Sequence, residues 1–115
     1  MPSANYLLIR DAIRNEQQIT CTYQGHPREL CPHIIGRTSG EERLLAWQFG
    51  GRTSGSLPAG GAWKCLNIEA MRDIKARDGR WHTGSGHRTT QTCVQDIDID
   101  INVHVRTGAR RGLPA

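Results

Sequence analysis

The sequence predicts a mainly β protein with one N-terminal helix and a small, strongly bent antiparallel sheet. Three observations support this fold class: apolar residues at helical spacing near the N-terminus, about five or six short apolar or alternating runs after it, and turn-forming residues between those runs. Closure of such a sheet into a barrel would remove its unpaired edges. The 115 residues suit one domain, assigned to 1–105, followed by a basic tail at 106–115 that we expect to be disordered.

An amphipathic helix is predicted at the start of the chain. Tyr6, Ile9, Ala12 and Ile13 recur at steps of three and four residues, with polar residues between them. Ser3 is suited to cap the N-terminus of this helix. Because the helix has a single apolar stripe, we expect it to cover an open end or edge of the sheet.

Two strands are predicted to follow the helix. The segment 19–23 alternates apolar and hydroxyl side chains, and 28–35 returns after a turn at 24–27. Pro32 cannot donate a hydrogen bond to a ladder, so we expect it at an edge, a bulge or a sharp bend. The next turn is predicted at 36–41.

Two dense apolar runs, Arg43–Phe49 and Trp63–Ile68, are predicted to pair as a hairpin across a long glycine-rich loop. The loop at 50–61 contains five glycines, one arginine and three hydroxyl side chains. Such a loop exposes backbone N–H groups beside a cation, which suits an anionic ligand. The same composition suits a mobile connection without a ligand, which is the more common case.

The C-terminal part is predicted to contain two more strands. One follows a single helical turn and covers 74–76, and the other runs from Asp96 to Val105, where isoleucine and valine alternate with polar residues. Trp81 is expected to be a core or rim anchor, and 82–92 a surface loop. The aspartates at every second position are interpreted as the solvated face of a strand, because Ile101 occupies the position where a calcium loop requires glycine.

The four cysteines, Cys21, Cys31, Cys65 and Cys93, include no Cys-x-x-Cys pair, so the sequence predicts no zinc site and no cofactor. We expect all four to be small buried side chains in a reduced, cytoplasmic protein. No signal peptide and no apolar run of membrane-spanning length is present, so no membrane partner is expected.

The net charge of +4 depends on the C-terminal tail. Three arginines and no acid lie in the last ten residues, and without them twelve basic and eleven acidic side chains remain. A strongly basic nucleic-acid-binding surface therefore does not follow from the isoelectric point alone.

The order and spacing of several residues resemble the WYL domain family. The resemblance depends on Ala12-Ile13 in the opening helix, Ile19 to Tyr23, Gly25, Arg28, Pro32, Gly36, Leu44 to Gln48, and Trp63 to Leu66 followed by Ile68 and Met71. It implies an Sm-like or SH3-like small barrel that senses a ligand in bacterial transcription regulation, phage defence or CRISPR-linked systems. It also implies a nucleic acid or a nucleotide-type effector as the ligand, bound by cationic and aromatic side chains.

A nucleotide-type ligand needs cations for its phosphate and a flat apolar face for its base. The candidate ligand-binding residues are Tyr23, Arg28, Arg43, Trp47, Gln48, Arg52, Ser54, Trp63 and Lys64. Since Trp47 and Gln48 are adjacent on one strand, they point to opposite faces and at most one of them can face the ligand. The alternative interpretation is that the aromatic residues belong to the core and the cations to a solvated surface, with Arg43 paired to Glu41 or Glu42.

We expect a non-enzymatic, ligand-sensing module that acts through a protein partner or as a homodimer. No helix-turn-helix pattern is present, so the module is expected to stand alone. The alternative is a structural or interaction subunit that docks onto a larger complex without a ligand of its own. No catalytic residue is predicted: His82 and His87 could act as an acid–base pair on a phosphodiester, but two histidines in a polar loop are more often surface residues.

Overall fold

A computed structural model describes residues 2–53, 55–84 and 91–102. They form one α-helix, six strands and one short 3-10 helix, which confirms the mainly β class with an N-terminal helix. The elements are α1 Ala4–Arg14, β1 Gln18–Tyr23, β2 His26–Thr38, β3 Glu41–Gly51, β4 Ala62–Asn67, the 3-10 helix Ile68–Ala70, β5 Arg72–Arg77 and β6 Asp96–Asp100. The predicted tail at 106–115 lies outside the described residues.

All strand pairs are antiparallel, and the order along the sheet is β4-β3-β2-β1-β5, with β6 pairing with β2. The predicted hairpin is confirmed, because β3 pairs with β4 and Trp47 lies opposite Trp63. The helical turn and strand predicted after it are confirmed as the 3-10 helix and β5. The turn predicted at 36–41 is shorter, since β2 continues to Thr38 and only Ser39 and Gly40 separate it from β3.

The connection between β4 and β5 requires the sheet to be strongly curved. These strands lie at opposite ends of the five-strand order, which would span about 19 Å in a flat sheet. Only residues 68–71 join them, and three of these form a 3-10 helix with a rise of roughly 2 Å per residue, so the connection reaches about 13 Å. Among the described residues no ladder joins β4 to β5, so the sheet is open and its closure into a barrel stays a prediction.

The helix α1 forms as its sequence pattern predicts. The Ser3 hydroxyl oxygen accepts a hydrogen bond from the Tyr6 amide at 3.1 Å and caps the first turn. The stripe of Tyr6, Ile9, Ala12 and Ile13 is fully buried and belongs to the main core. The helix packs on the central strand β2 and on β5 at one end of the strand order, so its contacts include an edge of the sheet, as expected.

The sheet has two apolar faces. We call the face that α1 covers the inner face; it carries Ile19, Leu30, Ile35, Leu44 and Leu66 in the main core. The opposite, outer face has a smaller cluster, in which Ile34, Leu45 and Val94 are buried and Trp63 and Cys93 pack against them.

Pro32 lies at a bulge, which confirms one of the positions expected for a proline within a strand. On β2, Pro32 pairs with Ala46 and Ile34 pairs with Leu45, so His33 is an extra residue without a partner on β3. A strand that contains an extra residue bends and re-aims the side chains that follow.

The prediction of one regular strand from Asp96 to Val105 is wrong in two respects. The strand ends at Asp100, and residues 101–102 are helical, while the rest lies outside the described residues. The alternation is also interrupted, because Ile99 pairs with Ile35 while Ile97 pairs with Gly36, which leaves Asp98 as an extra residue. The bulge turns Ile97 away from the core, and its side chain is 49% exposed.

Asp98 is consequently not on a purely solvated face. Its carboxylate accepts a hydrogen bond from the Tyr6 hydroxyl at 2.7 Å and lies 3.5 Å from the guanidinium of Arg10. A basic side chain against the aspartates relieves their mutual repulsion. These contacts attach β6 to α1.

The prediction that all four cysteines are small buried side chains of a reduced protein is wrong for two of them. Cys21 and Cys31 are free and buried, but Cys65 and Cys93 form a disulfide with their Cα atoms 5.6 Å apart. Cys65 is exposed on β4, and the chain returns over the outer face at Cys93. A separation of 28 residues carries no local sequence signal for this pairing.

The described part of the chain contains no helix long and apolar enough to cross a membrane.

Candidate ligand-binding site

The candidate residues are divided between the two faces of the sheet. Trp47 and Trp63 point to the outer face, while Gln48 is fully buried and contacts Arg28 on the inner side. This confirms that Trp47 and Gln48 point in opposite directions. One small ligand therefore cannot contact the tryptophan pair and Arg28 through the same face.

Arg28 is the centre of the inner group. Its side chain is only 4% exposed, and its guanidinium carbon lies 5.2 Å from the centroid of the Tyr23 ring, in a cation–π arrangement. Its Nη1 donates a hydrogen bond to Oε1 of Gln48 at 3.2 Å. The strands β1, β2 and β3 each contribute one of these three residues, so the sheet itself positions the group.

Gln48 connects this group to the glycine-rich loop. Its Nε2 donates hydrogen bonds to the carbonyl oxygens of Gly50, at 3.0 Å, and Arg52, at 3.1 Å. The Arg52 amide in turn donates to the Pro27 carbonyl oxygen at 2.7 Å. The start of the loop is thereby held beside Arg28 at this end of the sheet.

The guanidinium of Arg28 has donors without acceptors. In the described ranges, its Nε and Nη2 are buried and make no hydrogen bond. The ion pairs formed within these ranges do not include Arg28. A buried cation without a counter-ion is costly, and an anion bound beside it would remove much of that cost.

Other partly buried arginines differ from Arg28 in this respect. Arg10 and Arg43 each have a buried Nε without an acceptor among the described residues, but each guanidinium also lies beside a carboxylate. The partner of Arg43 is Glu41, as the flanking acids predict. Arg43 is therefore not part of the inner group.

Among the described residues, Lys64 and Arg52 make no hydrogen bond with the side chain of Arg28, although Lys64 shares the inner face with the core residue Ala46 opposite it. Lys64 is half-buried on β4, opposite Ala46, and Arg52 is exposed apart from its backbone contacts. Ser54 lies outside the described residues. The inner group thus consists of Tyr23, Arg28 and Gln48, with the backbone of Arg52 joined through Gln48.

A row of aromatic rings covers part of the outer face. The ring centroids of Trp47 and Trp63 are 5.1 Å apart with an interplanar angle of 79°, and His33 continues the row at 4.8 Å from Trp63 and 4.9 Å from Trp81. Edge-to-face contacts of this kind are a favourable geometry for aromatic pairs. The indole Nε1 of Trp47 donates to the Gly60 carbonyl oxygen at 3.0 Å, so the end of the loop is attached to this face.

Residues 82 and 83, at the start of the loop predicted at 82–92, pack against the sheet, whereas 85–90 of that loop lie outside the described residues. His82 stacks on Phe49 with their ring centroids 4.1 Å apart, and its backbone amide donates to Sγ of Cys31. Thr83 Oγ1 lies 2.9 Å from Nε2 of the buried His33. His87, the proposed acid–base partner of His82, lies outside the described residues.

His33 and Phe49 were not among the sequence candidates for this face. Each is the extra residue of a bulge. His33 lies between Pro32 and Ile34, which pair with Ala46 and Leu45. Phe49 lies between Gln48 and Gly50, which pair with Leu30 and Glu29. Nδ1 of His33 must carry the proton that it donates to the Cys31 carbonyl oxygen at 2.7 Å, since a carbonyl only accepts. The sole sequence signal for this arrangement is the proline next to His33.

No three histidine, cysteine, aspartate or glutamate side chains converge within residues 2–53, 55–84 and 91–102 in a way that could hold a metal ion. Comparison of the chain with protein-family models, with curated proteins and with solved structures finds no match. Fold and site together define a small, mainly β protein in which a buried arginine lies beside the start of a glycine-rich loop.

Proposed function

We propose that this chain is a non-enzymatic, cytoplasmic sensing module that binds a phosphate-bearing, nucleotide-type effector or nucleic acid at Arg28. The observation that carries the proposal is the burial of Arg28 with two donor atoms unoccupied among the described residues. The residues assigned to the site are Arg28, Tyr23 and Gln48, with the loop that begins at Arg52.

A phosphate oxygen anion matches the donors of Arg28. A guanidinium presents its N–H groups in a planar fork, which suits two oxygens of one phosphate. The guanidinium carbon lies 5.2 Å from the centroid of the Tyr23 ring and Nη1 donates to Gln48, so two contacts restrain the guanidinium before a ligand binds. Such preorganisation reduces the entropy lost on binding.

Ligand binding would be coupled to the glycine-rich loop. Arg28 is almost fully enclosed, but it lines a cleft of about 490 Å³ together with Gly51 at the loop start, so an anion that approaches it through this cleft also meets the loop. Gln48 makes contact with both Arg28 and the loop carbonyls, so a change on one side alters the other. Through this coupling, ligand binding would change the arrangement of the loop, because the ligand favours one loop arrangement over another. That change is the signal that a sensing module transmits.

The resemblance to the WYL domain family supports the same proposal. We extend the open, curved sheet to an Sm-like or SH3-like barrel, because four residues join its two outermost strands. The assignment to bacterial transcription regulation or phage defence rests on that resemblance alone.

The experiment is a binding assay with adenosine 5′-monophosphate, inorganic phosphate and a labelled single-stranded RNA, each at several salt concentrations. We expect phosphate-dependent binding by the unaltered chain and at least a tenfold loss in Arg28→Met, which keeps the length of the side chain but removes its donors. For the RNA, binding should also weaken as salt rises.

The matched control is Arg14→Met, which removes the same charge from an exposed position on α1. Its binding should equal that of the unaltered chain. Binding that is equal in Arg28→Met and Arg14→Met, or absent with all three probes, would refute the proposal.

A second candidate function, an interaction subunit of a larger complex, is favoured by the aromatic row. Trp47 and Trp63 remain half-exposed on the outer face, and aromatic residues of this kind are enriched in protein interfaces. A pull-down from the native host separates the two functions: one stoichiometric protein partner that is lost in Trp47→Ala, but retained in Arg28→Met, would support the second.

A further inference from the structure

The disulfide between Cys65 and Cys93 fastens one short segment to the outer face of the sheet. Cys65 lies on β4, and Cys93 lies in the segment 91–95, which precedes β6. Val94 of this segment is buried against Ile34 and Leu45. The segment therefore covers the apolar cluster of the outer face.

Few other contacts hold this segment. The Thr38 hydroxyl donates to the Cys93 carbonyl oxygen at 2.7 Å, and it accepts from the Gln95 amide at 3.1 Å. The Val94 amide donates to the Gln91 side chain, within the segment itself. In the described part of the chain, Thr38 is the residue of β2 whose side chain forms hydrogen bonds with this segment. The disulfide is the covalent bond that attaches the segment to β4.

The two cysteine residues of the disulfide differ in their exposure to solvent. Cys65 is exposed, whereas Cys93 is half-buried and packs against the apolar cluster of the outer face. Thiol–disulfide exchange begins with attack of a thiolate on an accessible sulfur, so the attack takes place at Cys65 and Cys93 leaves. The sulfur that leaves belongs to Cys93, in the segment that the disulfide attaches to the sheet.

We infer that Cys65–Cys93 is a thiol–disulfide exchange site for a dithiol reductant, and that its reduction releases segment 91–95 from the outer face. One reductant thiolate forms a mixed disulfide with Cys65, and Cys93 leaves as a thiolate that takes up a proton. The second reductant thiol then displaces Cys65, which also becomes a thiol. Two electrons and two protons pass to the protein, and the reductant becomes a disulfide.

Release of the segment uncovers apolar surface. Val94 leaves its contacts with Ile34 and Leu45, so the apolar cluster that it helps to cover becomes accessible. A cytoplasmic location, as proposed above, fits this inference, because cytosolic disulfides are usually transient and redox-sensing. The inference itself is independent of ligand binding at Arg28, which lies on the inner side.

The test is hydrogen exchange of the full chain with and without dithiothreitol, followed peptide by peptide. We expect reduction to accelerate exchange at the Val94 and Gln95 amides by at least tenfold, while peptides from β1 and the first half of β2 remain unchanged. Reoxidation with oxidised glutathione should restore slow exchange, since no other bond has changed.

Two variants complete the test. Cys65→Ser with Cys93→Ser should exchange fast in this segment without reductant and should not respond to it. Cys21→Ser, which alters a buried thiol outside the disulfide, should respond like the unaltered chain. Slow exchange that persists after reduction, acceleration of all peptides together, or an intact mass showing both thiols before reduction would overturn the inference.

Discussion

The hydroxyl oxygen of Tyr23 on β1 accepts a hydrogen bond from the backbone amide of Asn67 on β4 at 3.1 Å. Two strands, β2 and β3, separate β1 from β4 along the sheet. In a flat sheet these strands would be about 14 Å apart, so the contact crosses the interior of a rolled sheet. The guanidinium of Arg28 lies over the same ring. The Tyr23 side chain therefore takes part both in the contact across the rolled sheet and in the proposed site.

Tyr23→Phe separates these two roles. The substitution leaves the Asn67 amide without its acceptor, and we expect the free energy of unfolding to fall by about 1–2 kcal/mol. The ring beneath Arg28 remains, so phosphate binding should be unchanged. Urea unfolding and the binding assay together check this, and Tyr23→Leu, which removes the ring as well, should weaken both. An unaltered urea midpoint in Tyr23→Phe would contradict the structural role.

Arg28→Met should increase stability while it removes binding. Replacing a buried cation that lacks a counter-ion by an apolar side chain of similar length relieves its desolvation cost. We expect a gain of about 1 kcal/mol in the free energy of unfolding, measured by urea denaturation without ligand. Arg28→Ala should instead be destabilising, because the truncated side chain leaves a cavity. A loss of stability in Arg28→Met would mean that the guanidinium has a stabilising partner within the protein.

The hairpin and the helix could be predicted because their signals are local. Period-two and period-3.6 patterns identify β1, β3, β4 and α1 directly. The bulges at His33, Phe49 and Asp98 could not be predicted. An extra residue changes the face of the sheet to which its neighbours point, but it leaves no mark on the amino-acid composition of the strand. The disulfide depends on contacts between distant segments, which no local pattern records.

The candidate site shows the same limit. Arg28 has the same parity along β2 as the core residue Leu30, and that spacing is a signal that its side chain points inward. The sequence does not reveal that the guanidinium lacks a carboxylate partner, because that depends on three strands. The two tryptophans were correctly expected on adjacent strands, whereas the rings around them come from bulges and from the segment after Trp81.

Gly36→Ala should detach β6 from β2. A Cβ atom at Gly36 would overlap the Asp96 carbonyl oxygen and come within 2.8 Å of the Val94 side chain. We expect a loss of about 1–3 kcal/mol in the free energy of unfolding and faster hydrogen exchange in β6. Gly55→Ala is the control, because nothing lies within 4 Å of its Cβ position, and its stability should change by less than about 0.5 kcal/mol. Equal stabilities of the two variants would show that β6 is not packed against Gly36.

Alkaline pH should destabilise the protein through its two buried thiols. Burial raises the pKa of Cys21 and of Cys31 to about 11, from an ordinary value of 9.0. Between these values the unfolded chain loses protons that the folded chain retains, so the thiols favour the folded state less as pH rises. Their full contribution is present below pH 9, and about 2 kcal/mol per thiol should be lost by pH 11.

Urea unfolding at intervals from pH 8 to 11 measures this loss. The control is the double variant Cys21→Ala, Cys31→Ala, which begins at lower stability but should decline less between pH 9 and 10. Tyr6, whose pKa is also raised by burial and by its hydrogen bond to Asp98, acts in the same direction, but its unfolded form ionises only near pH 10. The interval from pH 9 to 10 therefore isolates the thiols, and parallel declines of the two proteins there would mean that other groups cause the alkaline loss.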